Sequence, residues 1–397
     1  MTDQKSIDYG LLMIVFTLIC LGIVMVYSSS AAIANNRFEN SSYILKQQVL
    51  RVIISLVLLF IVMRIDYHVF IKYAKVGLVI SVLLLLFLIV SDQVSSIKGA
   101  KRWIKIFDVT FQPSEMAKFF LILFLAGSLS KNQTQLQNFT TGFLPHGVIL
   151  GVICGLVFLQ PDMGTGLLIG GIGMLMFYIA GIRFWHIAGI GLLCLPVLYS
   201  FILSGGYRKA RLLAFFQTDT HTDHLSYQIN QSLISLGAGG IFGKGLGESS
   251  QKLFFLPEPY TDFVFAIIGE ELGFVTAVGV VLLYLIFNWK GIKVSLKAPD
   301  TAGFYLAIGI TIMISFYALC NICVACNLIP TKGLPLPFIS YGGSSLFFSM
   351  LGVGLLLNIG AQGVQNKDVR RLQAYRKVVV NYYFSSAQRN KKSSKLR

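Results

Sequence analysis

The residues able to do chemistry in this sequence are ionisable groups set at the edges of long apolar runs. Lys118 is the clearest: it ends the stretch Gln112-Pro-Ser-Glu-Met-Ala-Lys118 and opens an apolar segment. A charge at membrane depth costs about 2.5–3.5 kcal/mol on insertion scales, so it requires a partner or a task. Pro113 suits the first turn of a helix. Helical spacing then places Ser114 and Glu115 on the same face as Lys118. Two readings follow: a Lys–Glu pair that ties helices together, or an anchor for a phosphate at the head-group boundary.

Asp262 stands where a long polar stretch meets the next apolar run. Aspartate at a helix start is an ordinary cap. In a partly dry pocket the same carboxylate suits general-base work. Asp162, after Gln160-Pro161, reads as the cap of the helix that follows. Glu270 and Glu271 are adjacent, so on a helix they diverge and cannot form a carboxylate pair; polar contacts to neighbouring helices are expected. Arg208, Lys209 and Arg211 form a basic cluster suited to anionic head groups. Arg102 and Trp103 close the basic stretch Lys98-Gly-Ala-Lys-Arg-Trp103. Trp103 and Tyr341 suit an interfacial belt, and Trp103 also suits stacking against a sugar. His221 and His224, near Asp219 and Asp223, make a weak metal pattern, and no metal site is assigned. The six cysteines fall in apolar segments and read as packing residues.

Long helices must position these groups. Of 397 residues, 55% are hydrophobic and 13% charged, against about 25% charged in soluble domains. Lipid must therefore solvate much of the chain. Apolar runs of spanning length occur at about 9–28, 48–64, 74–91, 113–130, 144–160, 164–182, 185–204, 263–287, 302–325 and 343–360. The expected fold is an all-α integral membrane bundle of about ten helices over residues 1–360. A large loop, 205–262, separates spans seven and eight, and a basic tail follows at 361–397. The first run is too long for a typical signal peptide and reads as an uncleaved span. Glycines at four-residue spacing (Gly147, Gly151, Gly155; Gly166, Gly170) predict close helix approach.

The net charge of +16 is dispersed between the spans, which argues against nucleic acid and for anionic lipid. The tail after Gly360 carries ten Lys or Arg against one acid, Asp368. The positive-inside rule then places both termini in the cytoplasm. The opposite loops also keep many cations, and a use for them is implied.

Five stretches together carry a resemblance: Lys98 to Ile104, Phe111 to Phe119, Gln160 to Gly166, Leu256 to Gly273 and Pro335 to Ser345. In this order they resemble the SEDS proteins (shape, elongation, division and sporulation), polytopic peptidoglycan glycosyltransferases. The match runs from the first span to about Asn358. Tyr227 to Ile234, Gly243 to Ser249 and the opening Gly22 to Ser30 resemble the division-type (FtsW-like) branch and its sporulation relative. Pro259-Tyr260 departs from the family, where a histidine more often precedes Thr-Asp.

The resemblance implies an inverting transferase that polymerises lipid II into β-1,4 glycan at the outer face of the bacterial cytoplasmic membrane, at the division septum. Asp262 matches the family's catalytic position. Lys118 and Trp103 match positions tied to activity, with Arg102, Ser114, Glu115, Arg208 and Arg211 as further substrate contacts. A divalent cation, Mg or Mn, would supplement these charges; no organic cofactor is implied. The implied partners are a class B penicillin-binding protein, other division proteins and membrane lipid. A lipid II flippase and a non-enzymatic division scaffold are the alternatives.

Overall fold

The computed structural model describes residues 8–91, 102–106, 109–131, 133–203, 215, 224–253 and 255–365. Ten helices correspond to the ten apolar runs: α1 (Tyr9–Phe38), α2 (Tyr43–Val62), α3 (Tyr67–Val90), α4 (Pro113–Lys131), α5 (Leu144–Leu159), α6 (Met163–Ile179), α7 (Phe184–Leu203), α9 (Val264–Leu296), α10 (Thr301–Ala325) and α11 (Gly343–Gln365). Eight of them are long and apolar enough to cross a membrane, and α6 and the first half of α7 are shorter apolar helices. An eleventh helix, α8 (His224–Ala238), a π-helical turn (Phe139–Phe143) that leads into α5, and a hairpin of β1 (Ile104–Ile106) and β2 (Val109–Phe111) complete the described elements.

The most enclosed spans are α4 and α11, while α2, α3 and α5 turn most of their apolar surface outward. That is the pattern expected where lipid is the solvent. α4 packs between α3 and α10, and α11 packs on α2. The glycine prediction is met on only one side. Gly166 and Gly170 of α6 receive Phe158 and Cys154 of α5, whereas Gly151 and Gly155 of α5 face open space.

Both ends of the described chain lie at one end of the bundle. Asp8 caps α1 and pairs with Lys290 near the end of α9 at 2.8 Å. At the same end Asp300 accepts from Tyr67 Oη at 2.8 Å, and His68 Nε2 lies 2.8 Å from its other oxygen. The opposite end gathers the hairpin, α8 and the linker before α11.

The stretch 205–262, read from the sequence as a large loop, contains a helix. Its described part folds α8 onto α9 and α10, with a glycine-rich return. The reason lies in α9, which breaks at Gly273 (φ 79°), a left-handed conformation that glycine tolerates. The break orphans backbone groups, and the return segment satisfies them. Lys244 N donates to the Glu270 carbonyl and Gly245 N to the Glu271 carbonyl, both at 3.0 Å, while Phe274 N donates to Gly240 O at 2.9 Å and Val275 N to Ile241 O at 3.2 Å. A β-carbon at Gly243 would strike the Glu271 backbone.

Glu270 and Glu271 diverge as expected. Glu270 accepts from Ser249 Oγ (2.6 Å), Lys244 Nζ (2.9 Å), Ser235 Oγ (3.0 Å) and Ser250 N (3.1 Å). Glu271 accepts from Ser28 of α1 (2.7 Å) and Lys252 Nζ (2.8 Å). The outward-facing apolar stretch of α9 starts at Phe274 and reaches Leu296, roughly 33 Å at the helical rise and enough to span the hydrocarbon. The two glutamates therefore sit just beyond that stretch, in a shell of donors. Glu271→Ala would leave the Lys252 ammonium, 9% exposed, without its counter-charge. Such a loss costs about 3–5 kcal/mol. Thermal unfolding in detergent should show a clear drop in Tm, and an unchanged Tm would remove this pair from the fold's supports.

Candidate active site

At the loop end, α4 opens with Pro113 in its first turn and buries Ser114, Glu115 and Lys118. Lys118 Nζ lies 2.6 Å from Glu115 Oε2 and 3.7 Å from the ring centroid of Tyr317 on α10. Tyr317 Oη in turn lies 3.4 Å from Glu115 Oε1. Lys118 is only 3% exposed, so its charge is matched inside the bundle. Through Tyr317 the pair also joins α4 to α10.

The turn between α5 and α6 packs beside this cluster. Asp162 caps α6, accepting from Thr165 N at 3.4 Å. The same carboxylate accepts from Gln112 Nε2 at 3.3 Å and pairs with Arg102 at 3.7 Å. Arg102 also donates to the Pro161 carbonyl. Trp103, half-buried, follows at the start of the hairpin, which Ser344 holds to α11 by accepting from Gln112 N at 2.9 Å.

Asp262 precedes α9 but does not cap it. The cap position is Phe263, with no side-chain cap bond. The half-buried Asp262 is held instead through its backbone and its neighbours. Asn321 Nδ2 on α10 donates to the Asp262 carbonyl (2.9 Å) and to Leu334 O (2.6 Å). Ser340 Oγ donates to Thr261 O (2.5 Å), and Tyr341 N donates to Tyr260 O (2.9 Å). The linker before α11 is thus laced to the Asp262 segment. Tyr317 and Asn321 are four residues apart and share one face of α10, so a single helix carries the contacts of both the Lys118 cluster and Asp262.

Aromatic rings wall one side. Tyr260 meets Tyr341 edge-on at 5.6 Å, and Arg51 lies 4.4 Å over the Tyr341 ring. Tyr341 is therefore a wall residue of this end rather than a lone belt residue. Burial, with the nearby Glu258 carboxylate adding, holds the Tyr260 phenol above its ordinary range, so it stays neutral.

Two further residues touch the site, and the sequence reading passed over both. A β-carbon at Gly333 would lie 3.0 Å from Asp262 Oδ2, and one at Gly164 would lie 3.3 Å from Lys332 Cβ and 3.5 Å from its Cδ. Lys332 thus runs its stem across the first turn of α6, and its neighbour Gly333 backs the Asp262 carboxylate. A lone cation in the linker Pro330-Thr-Lys-Gly-Leu-Pro335 was the available signal. Gly333→Ala should displace the carboxylate by a few tenths of an ångström. Misplacement on this scale is expected to lower kcat roughly tenfold or more, with KM nearly unchanged. Parental kcat in Gly333→Ala would show that the carboxylate position tolerates the crowding.

Arg208 and Arg211 lie outside the described residues. Among the described residues no three His, Cys, Asp or Glu side chains converge.

A family model described as "Cell cycle protein", covering FtsW, RodA and SpoVE, matches residues 9–365. The chain belongs to this family. It is 40% identical over 354 residues to the probable peptidoglycan glycosyltransferase FtsW of Trichlorobacter lovleyi, covering 89% of this chain and 93% of that one. It is 38% identical to the stage V sporulation protein E of Bacillus subtilis, covering 90% and 98%. Among solved structures it resembles a chain of a peptidoglycan synthase complex, described as coordinating polymerization and crosslinking (TM-score 0.74, 27% identity, 91% of this chain and 99% of that one). It also resembles the rod shape determining protein RodA of Thermus thermophilus (TM-score 0.66, 25% identity, 89% and 97%). The FtsW/RodA/SpoVE match spans every helix above, so the segments that build the site belong to the family's shared fold.

Proposed function

We infer that this chain is a peptidoglycan glycosyltransferase that polymerises lipid II. The observation carrying the reading is the Asp262 segment, fixed at the loop end of a membrane bundle by Asn321, Ser340 and Tyr341. The names of the relatives support the reaction class. Two lipid-linked sugars, or one and a growing strand, would meet at this end. The acceptor's C4 oxygen attacks the donor's anomeric carbon and forms the β-1,4 bond. Its proton passes to Asp262. The bond from the anomeric carbon to the phosphate oxygen breaks, and its electron pair leaves with the polyprenyl diphosphate. This inversion needs one base and a stabilised leaving group.

With both ends of the described residues at the opposite end of the bundle, the basic tail supports a cytoplasmic placement for that end and an outer-face site. Septal wall synthesis fits the division-type resemblance. A class B penicillin-binding protein is the proposed partner, supported by the likeness to a chain of a polymerizing and crosslinking complex. The test is direct: purified protein is given lipid II, with and without that partner and a chelator, and glycan strands are resolved by gel. Strands from the parent support the transferase. Their absence, with partner and divalent ion present, overturns it and leaves the flippase reading. Loss of strands with chelator would assign a divalent ion to the substrate's own phosphates.

A further inference from the structure

We propose that Arg51 of α2 seats the diphosphate of the lipid-linked substrate, at the head-group boundary beside the Asp262 segment. The proposal deepens the transferase reading and rests on it. Such a substrate keeps its prenyl chain in lipid and offers its sugar to the site. Its diphosphate must therefore sit where the apolar part of a span begins. Arg51 stands at that level. The polar start of α2 ends at Gln47 and Gln48, and Leu50, Ile53 and Ile54 around Arg51 are exposed apolar side chains. An arginine cannot shed its proton there, and a charge at the edge of lipid needs an anion or a task.

Among the described residues no carboxylate lies within ion-pair distance of Arg51. Lys118, Arg102, Lys244 and Lys252 each meet one. The guanidinium itself is placed by two neighbours. Its carbon lies 4.4 Å over the Tyr341 ring, and a β-carbon at Gly343 would stand 3.5 Å from Nε and 3.7 Å from Cζ. Holding a guanidinium against a ring leaves N–H donors of its fork for a bidentate phosphate. Arg51 is half-buried, so a ligand can reach it as it cannot reach Lys118, which is sealed against Glu115. The ring beneath it is fixed to the site. Tyr341 Oη donates to Gln47 Oε1 of α2 at 2.6 Å, and Gln47 Nε2 donates to Tyr43 Oη at 3.0 Å. Tyr341 N donates to the carbonyl of Tyr260, two residues before Asp262, at 2.9 Å. One tyrosine thus carries the cation of α2 on its ring and fastens the backbone that leads to the base.

The test is binding in detergent, which needs no turnover. Affinities for undecaprenyl diphosphate and for phosphatidylglycerol, whose phosphate rests at the same boundary, are measured for the parent, Arg51→Met, Arg51→Lys and Tyr341→Leu. Arg51→Met should bind undecaprenyl diphosphate roughly 10- to 100-fold more weakly, the range for a lost charged hydrogen bond, with phosphatidylglycerol far less affected. Arg51→Lys keeps the charge without the fork and should recover only part of the affinity. Tyr341→Leu removes the ring beneath the guanidinium and should lose part of it. In the gel assay Arg51→Met should raise KM for lipid II more than it lowers kcat, a split that a merely structural role would not produce. Parental undecaprenyl diphosphate affinity in Arg51→Met would overturn the proposal. So would an equal or larger loss for phosphatidylglycerol, which would make Arg51 a general head-group contact. If Arg51→Met does not fold, Arg51→Gln takes its place under the same criteria. Failure of the parent to make strands in the gel assay, by contrast, sinks the transferase reading and is scored separately.

Discussion

Asp262→Asn should lower the rate of strand formation about 10²- to 10⁴-fold, the usual contribution of a positioned general base. The amide is nearly isosteric, so packing against Gly333 is kept. The backbone contacts from Asn321 and Ser340 do not involve the carboxylate. Folding and lipid II binding are therefore expected to survive, and only the acceptor's proton loses its destination. Strand yield is read by gel and binding by an independent affinity measurement. Parental strand yield from a folded Asp262→Asn protein would remove Asp262 as the base while leaving the transferase standing. Loss of binding together with activity would make it a structural residue instead.

Lys118→Met should strongly destabilise the fold. Glu115 is 2% exposed, and its charge is balanced at 2.6 Å by Lys118. Removing one member of a buried pair costs about 3–5 kcal/mol, because the other charge is stranded. Removing both is much milder. Glu115→Gln with Lys118→Met should therefore recover most of the Tm lost by Lys118→Met alone. Activity separates the two roles of this lysine. If it only ties α4 to α10, the double variant regains strand formation with its stability. If its charge also serves the substrate, the double variant folds but stays poorly active.

The sequence by itself determined the membrane bundle, its ten apolar helices, the family and the segments that build the site. Each of these is a local property. A run of apolar residues spans lipid wherever it sits, and Pro113 starts a helix in any context. Even the Lys118–Glu115 pair was legible, because three residues on a helix fix the neighbours. What the sequence left open depends on contacts between segments far apart. Asp262 at a helix start looks like a cap, and only the tertiary structure puts Phe263 in the cap position instead. Glu270 and Glu271 look embedded in a span until the break at Gly273 brings Lys244, Ser249 and Lys252 to them. The same break explains why a stretch read as loop folds against α9: broken helical bonds must be replaced, and the returning chain carries the donors. Lys332 could not be placed from its neighbours in sequence at all. Its stem lies on Gly164, more than 160 residues away, and no periodicity relates the two. Hydropathy and helical spacing decide which residues enter the bundle. Which charge finds which partner is decided by the kinks, turns and linkers that bring distant segments within a few ångströms.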